Sequence, residues 1–389
     1  MEAAARQLNE TTSDPTTWAD QWTAVSTTGL VVLPILSLAA IVILLRVVYK
    51  PASELKDAAN RKGAGYGAIH YADDEDSDII YAGYVAGNYS APWTSTFDVF
   101  FLGGMFVFAI ALVVCTSALQ PVLWSNHKFW SAQAFKVFGM LVVSTLAGFV
   151  CRRFSIVDDK GYIITSINSA FKVNYTRKCQ HFAAYLIPLL NPWEVETDDT
   201  PLELAWAYFL TLVCFLVLIQ PVRERFVWCM LQFNGLDRPE DRPHTLQWLV
   251  AGDLLPGFLF LVGFKMLMFD VDNANSLLLL LVLVTTIGDG LAEPVGIAWG
   301  RHKYSTPSCV STRRYSRTLE GSACVFMSAM VLPALLHAYF ANVAQVFVTM
   351  VVLPPLVTYA EATAPHTMDT PILIVVAGAV LYGAVHYVV

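Results

Sequence analysis

The sequence predicts an all-α, polytopic membrane fold with about ten transmembrane helices, and three observations predict it. Of the 389 residues, 56% are hydrophobic and only 14% charged, against roughly a quarter charged in soluble domains. Apolar runs of the ~20 residues that a spanning helix needs recur along the chain. The basic residues are concentrated in alternate loops.

Nine runs are clear: 28–48, 97–119, 133–151, 202–222, 246–268, 276–298, 319–337, 339–360 and 372–388. A tenth, 180–193, is short and crosses only if tilted or strained. The charges decide in its favour. The loops 49–96, 152–179, 223–245 and 299–318 hold four, six, four and five Lys or Arg, which is 19 of the 24 in the chain. The loops between them carry Glu194, Glu196, Asp198 and Asp199, or Asp270 and Asp272. This alternation is a positive-inside pattern only if 180–193 crosses.

On that topology both termini lie outside the cytosol, with Asn9-Glu10-Thr11 as a glycosylation sequon. Trp124, Trp130, Trp193, Trp206, Trp248 and Trp299, near run ends, read as an interfacial belt. The seven cysteines form no CxxC pair and read as small packing residues. The N-terminus lacks signal- or transit-peptide character. Three regions follow: an extracytosolic segment over 1–27, three spans over 28–169 with a polar loop at 49–96, and a larger membrane domain over 170–389. The polar loop, with Gly63, Gly65 and Gly67 ahead of an acidic run from Asp73 to Asp78, reads as a solvated connection. No internal repeat is evident, and nothing in the chain suggests nucleic-acid binding.

Ionisable groups in a bilayer are tolerated only where they face protein or a wet cavity. The segment 287–304 is rich in them: Gly288 and Gly290 flank Asp289, Glu293 precedes Pro294, and Arg301, His302 and Lys303 follow. Pro294 removes a backbone donor and disfavours helix at Glu293, so the helix should open there. Carboxylates for a divalent ion beside cations for phosphate are what a nucleotide triphosphate requires. The bland alternative is close helix packing through the small series Ala292, Gly296, Gly300.

Three further clusters fall on the same predicted face. Thr318 caps a helix whose first turn holds Glu320, Gly321 and Ser322, with Arg317 just before it, a ready anion site. Arg177, Lys178 and His181 open the short span, and four-residue spacing puts Arg177 and His181 on one side. Glu361 and Asp369 bracket the last connection, where Thr370 as cap and Pro371 at the first helical position start the final helix.

Taken together, Arg177-Lys178-x-x-His181, Gly288-Asp289-Gly290 with Ala292, Val295, Gly296, Gly300 and Lys303, Thr318-x-Glu320-Gly321-Ser322, and Glu361 followed by Asp369-x-Pro371 resemble the polyprenol kinase family. That family includes dolichol, phytol and farnesol kinases and a CTP-dependent diacylglycerol kinase, and is related to membrane cytidylyltransferases. The similarity covers roughly 170–389. Two departures are Arg317, where the family commonly has Lys, and Thr370, where it commonly has Asn.

The resemblance implies Mg²⁺-dependent phosphoryl transfer from CTP or another nucleoside triphosphate to the hydroxyl of a membrane lipid, in a multi-pass protein whose active face is cytosolic. The endoplasmic reticulum is the expected compartment, with a plastid or bacterial plasma membrane as alternatives. Expected catalytic residues are Asp289, His181 and Lys303. Arg177, Lys178, Gly288, Gly290, Gly296, Gly300, Lys303, Arg317, Glu320, Gly321 and Ser322 would hold the nucleotide. Asp289, Glu293, Glu320, Glu361 and Asp369 are the candidate metal ligands, and Asp253 is an outlying candidate. GxxxxGK[ST], HRD and DFG signatures are absent. The rivals are a cytidylyltransferase acting on a lipid phosphate and a transporter whose broken helix binds an anion.

Overall fold

The computed structural model describes residues 24–48, 92–166, 171–190, 200–238, 241–310, 312 and 314–388. The sequon at Asn9, most of the polar loop at 49–96, Trp193 and the acidic residues 194–199 lie outside these.

Among the described residues the chain is mostly helical, and seven helices are long and apolar enough to cross a membrane. They mark the chain as a membrane protein. Helix α1 (Ala24–Ile43) is followed by α2 (Pro92–Leu119), α3 (His127–Arg153) and a short hairpin, β1 (Ser155–Val157) with β2 (Ile163–Ser166). Then come α4 (Val173–Leu189), α5 (Pro201–Leu216), α6 (Gln220–Arg225) and α7 (Val227–Asn234). Helices α8 (Thr245–Leu267) and α9 (Ala274–Trp299) are continuous rods. A second antiparallel hairpin, β3 (Lys303–Pro307) with β4 (Arg314–Thr318), leads into α10 (Leu319–Leu335), α11 (Val343–Thr363) and α12 (Asp369–Tyr387).

Each predicted run is a helix, but ten full spans are not what the lengths give. Helices α5 and α10 are apolar yet shorter than a span, and α4 is neither long nor uniformly apolar. The reason is visible in α4. It begins seven residues before the apolar run, and that added stretch buries Asn174, Thr176, Arg177 and Lys178 against protein, with Gln180 buried just after them. The 202–222 run likewise ends at Leu216, and Pro221 starts the separate short helix α6.

The main core lies among α9 to α12, where Leu280, Leu281, Val325, Val346, Met350, Leu353, Val357, Leu373 and Leu381 are fully buried. Lipid is as apolar as leucine, so close packing and interhelical polar contacts hold such a bundle. Helices α9 and α10 approach closely. A Cβ on Gly321 would stand 2.6 Å from the Ala292 carbonyl oxygen, and one on Gly300 would stand 2.5 Å from Thr318 Cγ2. The small-residue series predicted for packing does pack.

Beyond the π-helical stretch Leu44–Val48 that follows α1, two helices contain an internal π-helical turn: Trp248–Leu254 in α8 and Val284–Asp289 in α9. Pro294 was expected to open the helix at Glu293. Instead α9 stays helical through the proline, and the irregularity is absorbed one turn earlier, ending on Asp289. The α8 turn holds Gly252-Asp253 and precedes Pro256 in the same way. A wide turn followed by proline is thus used twice.

Among the described residues, the basic loops 152–179, 223–245 and 299–318 lie at one end of the helices. Arg152 Nε donates to Asn234 Oδ1 at 2.9 Å, Arg242 to the Ile163 carbonyl at 2.7 Å, and Arg223 lies 4.1 Å over the Phe233 ring while donating to Tyr162. Cys309 N donates to the Thr363 carbonyl at 2.9 Å, linking the β3–β4 hairpin to the end of α11. These arginines tie loops together as well as carrying charge. The Trp expectation is only partly met, because Trp206 is buried and donates to Thr116.

Replacing Gly321 by valine should destabilise the protein by about 1–3 kcal/mol through overpacking. The loss would be read as a lowered unfolding midpoint in detergent, with Gly263→Val, which meets nothing within 4 Å, as the unaffected control.

Candidate active site

The first two turns of α4 place Asn174, Arg177, Lys178 and His181 on one face, spaced as helix neighbours are. They meet the π turn of α9, the 235–244 loop, the end of α11 and the start of α12. The wide turn swings Asp289 inward, where Lys178 Nζ donates to its Oδ2 at 2.7 Å. His181 Nε2 lies 3.8 Å from the same oxygen and 3.3 Å from the Thr285 carbonyl.

From there the charges alternate. Lys178 is 3.8 Å from Glu293 Oε2, and Arg238 donates to Glu293 Oε1 at 3.0 Å, where Asn174 also donates at 2.7 Å. Arg238 then donates to Asp241 at 2.9 Å, and Arg177 closes the chain on Asp241. The buried series is therefore Arg177, Asp241, Arg238, Glu293, Lys178, Asp289, a cation at every second place. Removing one partner from such a chain leaves a buried charge uncompensated, whereas apolar replacement of whole pairs is often neutral. Stability alone does not call for this arrangement.

Arg317 occupies a separate station. It is buried and donates to the carbonyls of Glu361 at 3.0 Å and Ala364 at 2.8 Å, to the His366 ring at 2.9 Å, and lies 3.3 Å from the Glu361 carboxylate. The last carbonyls of a helix have no partners within it, and the C-terminus carries partial negative charge. Arg317 satisfies both at the end of α11. It was expected to hold phosphate; the structure gives its donors to this cap instead.

Other expected residues are dispersed. Glu320 accepts from His302 Nδ1 at 2.6 Å and from the Arg301 amide at 3.0 Å. Ser322 is bonded to the Tyr304 hydroxyl at 2.6 Å. Thr318 caps α10 as expected, accepting from the Gly321 amide at 3.1 Å. Gly296, Gly300 and Gly321 lie at the α9–α10 contact, and a Cβ on Gly290 would meet the Phe182 ring at 2.7 Å. Gly288 has only ordinary contacts. Lys303 is exposed on β3, beyond the buried network.

The five proposed metal ligands do not form one shell. Among the described residues no three His, Cys, Asp or Glu side chains are grouped to hold an ion. Asp289, Glu293, Glu320 and Glu361 each face a cationic or histidine partner of their own, and Asp369 sits in the first turn of α12, its Oδ1 accepting from the Thr370 amide at 2.9 Å. Helix α12 starts at Asp369, so Thr370 lies within it and does not cap it. A protein-only magnesium cage does not fit these residues.

Sequence reasoning passed over Arg238, Asp241, Asn174 and His366. The signal was present in Asp237-Arg238-Pro239-Glu240-Asp241-Arg242-Pro243, where an Asp-Arg-Pro triplet occurs twice around Glu240. Such a loop invites mutual pairing, not simple solvation. Comparison with known protein families, curated proteins and solved structures finds no match to this chain.

Two of the groups with shifted acidities outside the spans bear on the site. Burial raises the Asp241 carboxyl, but Arg177 and Arg238 outweigh it and hold it below the usual range. His366 is lowered to about 3, by burial first and then by Arg317 and Arg238. In the unfolded chain the histidine takes a proton near ~6.5 and the aspartate near ~3.9. The fold thus loses stability as pH falls from ~6.5 toward the folded values, since the unfolded state binds more protons. His366→Gln should flatten the upper part of that slope, read as unfolding midpoint against pH. Arg317→Ala should cost about 3–5 kcal/mol by leaving Glu361 unpaired, and Arg317→Lys should recover only part of it, because a lysine cannot reach several carbonyls at once.

Proposed function

We propose that the protein is a membrane lipid kinase. It transfers the γ-phosphoryl group of a nucleoside triphosphate, CTP in the first instance, to the hydroxyl of an isoprenoid alcohol of the phytol, farnesol or dolichol class, or of diacylglycerol. The observation that carries this reading is the buried alternating charge network ending on Asp289, at the end of the helices where the basic loops meet. It coincides with the motifs that resemble the polyprenol kinases. On this reading α4, α5 and α10 complete ten crossings, the basic end faces the cytosol, and the endoplasmic reticulum is the expected membrane.

In the reaction the lipid hydroxyl oxygen forms a bond to the γ-phosphorus while the bond from that phosphorus to the β-bridging oxygen breaks. A nucleoside diphosphate leaves and the hydroxyl proton is released. Such transfer depends on positioning and charge stabilisation. Lys178 holds Asp289 in place, and Asp289 with His181 lies where it can orient the hydroxyl. Exposed Arg301, Lys303 and Arg314 at the hairpin form the basic approach for the triphosphate. Magnesium typically binds through one or two carboxylates together with phosphate oxygens, so it is read here as arriving with the nucleotide.

One observation favours a second reading. A transporter with paired irregular helices would use both π turns, and α8 supplies the partner to α9 that the sequence did not reveal. A cytidylyltransferase would consume the same nucleotide but release pyrophosphate.

Purified full-length protein given γ-labelled CTP, Mg²⁺ and farnesol, phytol, a short dolichol or diacylglycerol should place label in extractable lipid. Asp289→Asn should lower that rate by ~10²-fold or more. Pyrophosphate in place of CDP would replace the kinase with the cytidylyltransferase. Anion flux into vesicles with no labelled lipid would replace it with the transporter.

A further inference from the structure

The charges around Lys178 do not balance. There the buried cations Arg177, Lys178, Arg238 and Arg317 face Asp241, Glu293, Asp289 and Glu361. Asp253 and Asp369 remain, in electrostatic range of Asp289 and of each other, with no ion pair of their own. Asp369 accepts the Thr370 amide. Asp253 differs, because its Oδ1 is shielded from solvent and has no hydrogen-bond partner. A buried carboxylate oxygen without a donor costs free energy that the fold has not recovered.

Its setting indicates which donor is missing. The π turn of α8 widens the helix at Gly252-Asp253, and Gly252 presses on the backbone of Thr367, where a Cβ would stand 2.7 Å from the carbonyl oxygen. This brings Asp253 into hydrogen-bond range of the Thr370 hydroxyl, which also reaches the phenol of Tyr185 on α4, and Oδ1 is the carboxylate oxygen left without a donor. Tyr185 is one turn beyond His181, on the face that meets Asp289. Both Tyr185 and Asp253 are half-buried. Helix α4 packs on α3 and α9, α8 packs on α12, and α4 and α8 hardly touch. Their outer faces, with Leu186, Leu189, Leu255, Leu259 and Phe260, are exposed and apolar.

The geometry points to Asp253 as the acceptor that binds the hydroxyl of the lipid alcohol, in a subsite reached from the bilayer between α4 and α8. The alcohol supplies the donor that Oδ1 lacks, its chain lies along the apolar outer faces, and its oxygen is presented toward Asp289. This subsite rests on the kinase reading and deepens it: the nucleotide approaches from the hairpin side and the alcohol from the side.

The test uses the full-length protein with CTP and farnesol, and in parallel a diazirine-bearing farnesol for photo-crosslinking. Asp253→Asn should lower kcat/KM for the alcohol by ~10²-fold or more, the scale of a lost polar contact to the reacting group. It should leave CTP affinity within about twofold, and Asp253→Glu should recover part of the activity. The diazirine should label α4 or α8 in the wild type and not in Asp253→Asn. If Asp253→Asn turns over normally, or loses CTP binding in step with turnover, the subsite is wrong while the kinase stands. If the wild type phosphorylates no alcohol yet is labelled in an Asp253-dependent way, the kinase reading falls and the alcohol site stands. If neither transfer nor labelling occurs, both fall.

Discussion

Lys178 and Asp289 form the contact on which the interior depends. Between a helix that starts among polar residues and one wound wide for a turn, an ammonium and a carboxylate sit 2.7 Å apart, each almost out of solvent. Neither charge is tolerable there alone. The pair obliges α4 to begin inside the protein, with its polar first half turned from lipid, and it fixes the rotation of α9. The remaining members follow by the same necessity: Glu293 needs Arg238, Arg238 brings Asp241, and Asp241 holds Arg177.

A second consequence concerns distance along the chain. Partners in the network are 111 residues apart for Lys178 and Asp289, and 55 for Arg238 and Glu293. The network therefore joins α4, the 235–244 loop and the C-terminal bundle. Arg238 also donates to the His366 carbonyl at 3.4 Å, reaching the corner that Arg317 caps from the other side. Loops that would otherwise be independent connections are fixed at one end of the bundle.

The long helices were legible in the sequence because each contains an apolar run, and hydropathy reads such runs directly; α6 and α7, at or within the 223–245 stretch read as a loop, were not. Boundaries failed where protein replaces lipid as the surrounding medium: the polar start of α4 is invisible to an apolar count, yet it is the part that bears the site. The residues around Asp289 were legible as a cluster because carboxylates in an apolar run are costly. Their partners were not, since pairing depends on which loops meet, and 235–244 meets α4 only in three dimensions. The packing and capping contacts of Arg317, Glu320 and the glycines were not legible for another reason. A motif names residue types, but helix capping and backbone approach use the same types as phosphate binding does.

Each π turn has a further meaning. Compared with an ordinary helix it holds one extra residue, and one residue corresponds to about 100° of rotation. Upstream of Val284 the α9 leucines are aligned with the core; downstream, the same helix aims Asp289 at Lys178. Winding 284–289 as a regular helix without removing a residue would turn Asp289 and Glu293 about 100° away from their partners without changing either side chain. The site is thus encoded in the length of a segment as much as in its letters, and a one-residue insertion there would be more damaging than most substitutions in the same turn.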